Sequence, residues 1–105
     1  MAIKYKVLVF PTAQKDLNEI KFYFTNALKT SLNSLFEKFI KLVGLLKEHP
    51  FTYPIHQDSL LKLVGYRVAP IENYLIFYLI KNDTVQIHRV LYAKRNFMQL
   101  LGLEG

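Results

Sequence analysis

A chain of 105 residues has room for one domain with a modest core and not for two. Fourteen Lys and Arg against eight Asp and Glu leave a formal net charge of +6, so the expected partners are anionic: nucleic acid, an acidic protein, or both. The absence of cysteine excludes a disulfide frame, a thiolate nucleophile and a cysteine metal site, and it suits a reducing cytoplasm.

The first ten residues have no uninterrupted apolar run followed by a small-residue cleavage site. No apolar run approaches the roughly 20 residues of a membrane helix. The expectation is a soluble cytoplasmic chain with no membrane partner. Lys4 to Phe10 is rich in β-formers and is ended by Pro11, after which Thr12 offers an oxygen to cap a helix. From Ala13 the positions Leu17, Ile20, Phe24 and Ala27 or Leu28 recur at three and four and predict one helical face, fading near Lys29 to Ser31. Leu32, Leu35, Phe36, Phe39, Ile40, Val43 and Leu46 repeat that period with Ser31 as a cap, and His49-Pro50 stops this second helix. Two helices joined by so short a link fold back as a hairpin.

His49 to Ser59, broken by Pro50 and Pro54 and anchored by Phe51, Tyr53 and Ile55, reads as a tethered loop. Leu63 to Asn96 then holds three β-prone runs separated by Pro70 to Asn73 and by Lys81 to Thr84, an antiparallel meander. Lys94 to Leu101 predicts a short terminal helix. The whole is α+β in the order β-α-α-β-β-β, a single domain spanning 1–105, with an N-terminal helical hairpin packed on a four-stranded, mainly antiparallel sheet. If the first strand joins the meander, the sheet becomes mixed. The last strand resists simple alternation: Val85, Ile87, Arg89 and Leu91 fall on one face and Gln86, His88, Val90 and Tyr92 on the other, so either a bulge resets the register or both faces are covered.

All three arginines, Arg67, Arg89 and Arg95, lie in the meander among tyrosines, a candidate polyanion surface on a rigid support. An Arg in the strand Tyr66 to Ala69, then Tyr74 to Tyr78, then Val85 to Tyr92 closing on Lys94-Arg95-Asn96, resembles the RelE/ParE superfamily of bacterial toxins from type II toxin-antitoxin modules. The resemblance covers nearly the whole chain and shares its element order. It implies a toxin neutralised by a cognate antitoxin. Two modes of action follow from it: a ribosome-dependent, metal-independent mRNA endonuclease, toward which the sequence leans, or a ParE-like inhibitor of DNA gyrase that performs no chemistry.

Cleaving RNA without a metal requires a base for the 2′-hydroxyl, cations at the phosphate and a proton for the leaving oxygen. Guanidinium forks suit the phosphate, and by the resemblance that task falls to Arg67 and Arg89. Tyr92 stands where many members carry a histidine; it could stack or donate a proton, but a phenol of pKa about 10 is a poor base. Lys62, His88, Lys94 and Arg95 extend the candidate RNA-binding track. His49 reads better as a helix cap, and no spacing of His49, His56 and His88 resembles a zinc site, so neither metal nor cofactor is expected. Phe22 and Tyr23, partly off the inward stripe of the first helix, are candidates for docking an acidic amphipathic antitoxin segment. The nuclease reading requires Arg67 and Arg89 to converge on one concavity.

Overall fold

The computed structural model describes residues 4–27, 33–95 and 97–102. The predicted links at Lys29 to Ser31 and the Ser31 cap fall outside them. Strand β1, Lys6–Val9, hands over directly to helix α1, Pro11–Phe22, with Pro11 in the first turn, where its missing N–H costs nothing. Thr12 does not cap this helix. Its hydroxyl donates to the His88 carbonyl at 2.6 Å, and Phe10 in extended conformation is the N-cap, with no side-chain cap bond. After Phe22 the helix widens into a π segment, Tyr23–Ala27, in which Thr25 Oγ1 and Asn26 Nδ2 donate to the carbonyls of Lys21 and Phe22.

Helix α2, Asn33–Glu48, buries Leu35, Phe39 and Leu46 of the predicted stripe, half-buries Phe36 and Val43, and also buries Leu42, which the predicted stripe left out. Ile40 lies one helical step off that stripe and is 67% exposed, contrary to the inward placement expected of it. Beyond α2 the loop is tethered as predicted. Tyr78 Oη donates to the Pro50 carbonyl at 2.9 Å, and an Ile55–Arg67 bridge joins the loop to the sheet.

The sequence reading missed helix α3, Ser59–Val64. Asp58 caps it by accepting from the amides of Leu60 and Leu61, and Gly65 ends it at φ +93°, with the Tyr66 amide reaching back to the Leu61 carbonyl. A Cβ at Gly65 meets only ordinary van der Waals contact, so Gly65→Ala should cost ~1–2 kcal/mol through the left-handed backbone alone. Urea unfolding measures this, and a loss below about 0.5 kcal/mol would contradict the assignment.

Strands β2, Arg67–Ile71, β3, Tyr74–Lys81, and β4, Thr84–Tyr92, form the predicted meander. The sheet order is β1-β4-β3-β2 with β1 parallel to β4, so it is mixed. Pro70 lies inside β2, which an edge strand tolerates because its outer side needs no ladder donor. The turn residue Glu72 has φ 54°, and its carboxylate is held by Ser34 Oγ at 2.7 Å and Lys38 Nζ at 3.2 Å, tying this turn to α2. Those hydrogen bonds lower its pKa.

The predicted irregularity in β4 is a bulge. Phe77 pairs with Arg89 and Tyr78 with Ile87, leaving His88 as the extra residue. Val85 and Ile87 before the bulge, and Val90 and Tyr92 after it, therefore share the face that packs against α1 and α2 with Ile76 and Tyr78. The opposite face carries Phe77 and Leu91, packed with Leu61, Tyr66 and residues Leu100 and Leu101 at and just beyond helix α4, Phe97–Leu100. Where β1 stops pairing, α1 takes over the edge of β4: the Thr12 hydroxyl serves the His88 carbonyl, and the Asp16 carboxylate accepts from the Val90 amide. No helix among the described residues is long and apolar enough to cross a membrane.

Candidate functional site

A cleft of about 640 Å³ opens between α1 and the end of β4. One wall is α1 and its π segment, through Glu19, Ile20, Tyr23 and Phe24; β4 supplies Arg89 to Tyr92, and Asn73, Tyr74, Arg95 and Leu100 complete the rim. The π segment carries Tyr23 and Phe24 onto this wall. Tyr74 and Tyr92 face each other across β3 and β4 with ring centroids 5.7 Å apart in an edge-on arrangement. Burial, then the neighbouring Tyr23 and Tyr92, push the Tyr74 phenol up from its usual pKa.

At the inner end Asp16, only 7% exposed, takes three donors: Arg89 Nε at 2.8 Å, Arg89 Nη2 at 2.9 Å and the Val90 amide at 2.9 Å. Arg89 Nη1 donates to the Leu100 carbonyl at 2.7 Å, so one guanidinium joins α1, β4 and α4. Its hydrogen bonds to Asp16 raise the Arg89 pKa further. The pair is bidentate and internally neutralised. Asp16 was missed from sequence because its helix was read for apolar spacing only. An acid in step with Ala13 and Ile20 was the available sign, since a buried carboxylate needs a cation.

Arg89, Tyr92 and Arg95 thus meet at one cleft, and Arg67 does not join them. Arg67 is paired with Tyr78 and Arg89 with Phe77, residues on opposite faces of the sheet, so the two guanidiniums leave their strands in opposite directions. Arg67 instead donates to the Tyr53 carbonyl at 2.7 Å and lies 4.9 Å from the centre of the Phe51 ring. It clamps the loop after α2 together with Tyr78, whose pKa burial pushes up to about 12. Neither arginine pairs with Glu72 or Asp83, the carboxylates nearest in the meander; Asp16 on α1 is the partner of Arg89.

His88, at the bulge, is stacked on Phe10 at 4.5 Å and bonded through Nδ1 to Tyr66 Oη and through Nε2 to Gln86 Oε1. Burial lowers its pKa, favouring a neutral ring that donates at one nitrogen and accepts at the other. Lys62 is exposed on α3, and Lys94 is exposed in the turn after β4. Phe22 and Tyr23 are 68% and 51% exposed at the end of α1. Among the described residues no group of three or more His, Asp or Glu is placed to hold a metal ion.

A helical hairpin on one face of a four-stranded mixed sheet is the architecture expected of the RelE/ParE class of toxin, and here a cleft with two arginines and three tyrosines lies at the end of the last strand. The family described as ParE toxin of type II toxin-antitoxin system, parDE, matches residues 7–97, and the chain belongs to it. Solved structures of similar fold come from toxin-antitoxin systems. One is the RelBE2 toxin-antitoxin complex of Mycobacterium tuberculosis, 25% identical, covering 88% of this chain and 95% of that one with a TM-score of 0.59. A second is the chromosomal ParDE system of P. aeruginosa, at 16% identity, 89% and 100% coverage and a TM-score of 0.65. A third is the DinJ-YafQ complex of E. coli, at 16% identity, 86% and 93% coverage and 0.57. No curated protein matches the sequence closely enough to count as a relative.

Proposed function

We propose that this type II toxin acts by binding, as a ParE-like inhibitor of DNA gyrase that catalyses no reaction, and that a cognate antitoxin neutralises it in the cytoplasm. The observation that carries the reading is the internal neutralisation of Arg89 by Asp16. Stabilising a phosphate as its charge grows needs an uncompensated cation aimed at it, and a guanidinium already paired with a carboxylate offers little net charge. The separation of Arg67 from Arg89 across the sheet keeps these two guanidiniums off one ligand. Phe22 and Tyr23, with more than half of each surface exposed, support the expected antitoxin contact at the end of α1.

A second reading keeps the ribosome-dependent endonuclease. What favours it is the meeting of Arg89, Tyr92 and Arg95 with Tyr23 and Tyr74 at one cleft, since aromatic faces beside arginines suit unstacked bases. Two assays on the purified protein separate the readings: gyrase supercoiling of relaxed plasmid, and message integrity on translating ribosomes. Arrest of supercoiling with intact message is expected. Message cut in the ribosomal A site with normal supercoiling would overturn the binding reading, and Arg89→Ala would then be expected to lower cleavage by orders of magnitude.

A further inference from the structure

The described residues cover only part of the sheet face opposite the helical hairpin. Helices α3 and α4 are six and four residues long, and the apolar residues at α3 and around α4 gather about Phe77 and Leu91. Toward the β3–β4 turn, the register aligns Leu8, Gln86 and Leu79 across β1, β4 and β3 on this same face. Leu8 is 50% exposed. The row continues onto α3, because a Cβ built on its capping Gly65 would lie 3.9 Å from Leu79 Cδ2. The two residues before that glycine, Leu63 and Val64, are 83% and 42% exposed.

Exposed lysines flank this apolar strip. Lys6 and Lys81 project from the same face one register step beyond Leu8 and Leu79, and Lys62 lies on α3. Among the described residues none of the three is in an ion pair. Asp83 is the neighbouring acid in the β3–β4 turn, and its carboxylate accepts from the Thr84 hydroxyl at 3.2 Å.

We propose that this strip is a second docking surface, separate from the cleft and from Phe22 and Tyr23, for an acidic amphipathic segment of the antitoxin. The proposal rests on the toxin reading only in naming that partner. An apolar stripe one or two side chains wide with cations on its margins is complementary to a helix or strand that is apolar on one side and carboxylate-bearing at its borders. A second copy of the chain is a poorer occupant, since it would set lysine margins against lysine margins at a net charge of +6 on each. Covering Leu63 removes from water the most exposed large apolar side chain among the described residues.

The test uses the full chain and, as probe, the purified protein encoded by the gene adjoining its own. Titrations compare wild type with Leu63→Glu and Lys81→Glu, whose exposed positions leave the fold intact, as thermal melts verify. Each variant is expected to weaken binding roughly ten-fold or more, and the Lys81 effect should shrink as salt is raised. Hydrogen exchange of the wild-type complex should slow at residues 6–9 and 59–65. Unchanged affinity in both variants, absence of binding by wild type, or slowed exchange confined to the cleft and α1 overturns the proposal. So does dimerisation of the free chain that Leu63→Glu abolishes, or binding to anionic lipid vesicles that the adjoining protein fails to displace. Loss of both toxic activities would strike the toxin reading, whereas the docking surface is decided by the titrations.

Discussion

Replacing Asp16 by alanine is expected to destabilise the protein by ~3–5 kcal/mol, because it strands a guanidinium whose side chain is only 22% exposed. The loss exceeds that of a surface ion pair, which is worth ~0–1 kcal/mol, since the same carboxylate also serves the Val90 amide on an edge that β1 no longer covers. Against a total stability of ~5–15 kcal/mol for a domain of this kind, the change is large enough to lower the folded fraction visibly at moderate temperature. Urea unfolding should show a fall in midpoint with little change in slope. A double variant, Asp16→Ala with Arg89→Met, should recover part of the loss by removing the stranded charge. A destabilisation by Asp16→Ala below about 1 kcal/mol, or no recovery in the double variant, would show that the pair does not hold α1 to β4.

Phe77→Ala should cost a similar ~3–5 kcal/mol by a different route. Phe77 is fully buried at the centre of the face opposite the hairpin, edge-on to Tyr66 at 6.0 Å and packed with Leu61 and Leu91. Helix α3 is too short to be stable alone, so its order depends on this floor. Truncating the ring leaves a cavity beneath α3 and α4 while the larger core under α1 and α2 stays intact. The expected signature is therefore uneven: hydrogen exchange at residues 59–64 should accelerate more than at 35–46. Uniform acceleration across both helices would show that the two apolar clusters unfold as one.

Much of this architecture can be read from residue spacing. The stripe Leu35, Phe39 and Leu46 is legible because a helix repeats every three to four residues, and the meander because its β-formers are punctuated by turns at Glu72-Asn73 and Asn82-Asp83. Helix α3 was hidden because Ser59–Val64 is too short for a period to emerge and its Leu-Leu-Lys-Leu-Val run suits a strand equally well. Its signals were the flanking Asp58 and Gly65, which bracket six residues, less than two turns. In β4 the clash between alternation and polarity announced an irregularity, while the position of the extra residue depended on pairing with β3, which no local pattern encodes.

The candidate site was legible in part. Arg89, Tyr92 and Arg95 were singled out from their strand and do share a cleft. The opposite headings of Arg67 and Arg89 follow from the register of three strands and the bulge between them, information spread over 22 residues of sequence and fixed only on pairing. The compensation of the Arg89 charge depends on an aspartate 73 residues away on a helix judged by its apolar positions alone.

The extra residue at His88 also governs how this gene can drift. Deleting that residue would close the bulge and leave Arg89 opposite Phe77 and Val90 opposite Ile76, on the faces they already occupy, at the loss of the contacts its ring makes with Phe10, Tyr66 and Gln86. Descendants of this sequence are therefore freer to lose a residue at this point of the strand than elsewhere along it, where a one-residue deletion puts side chains out of phase with their partners.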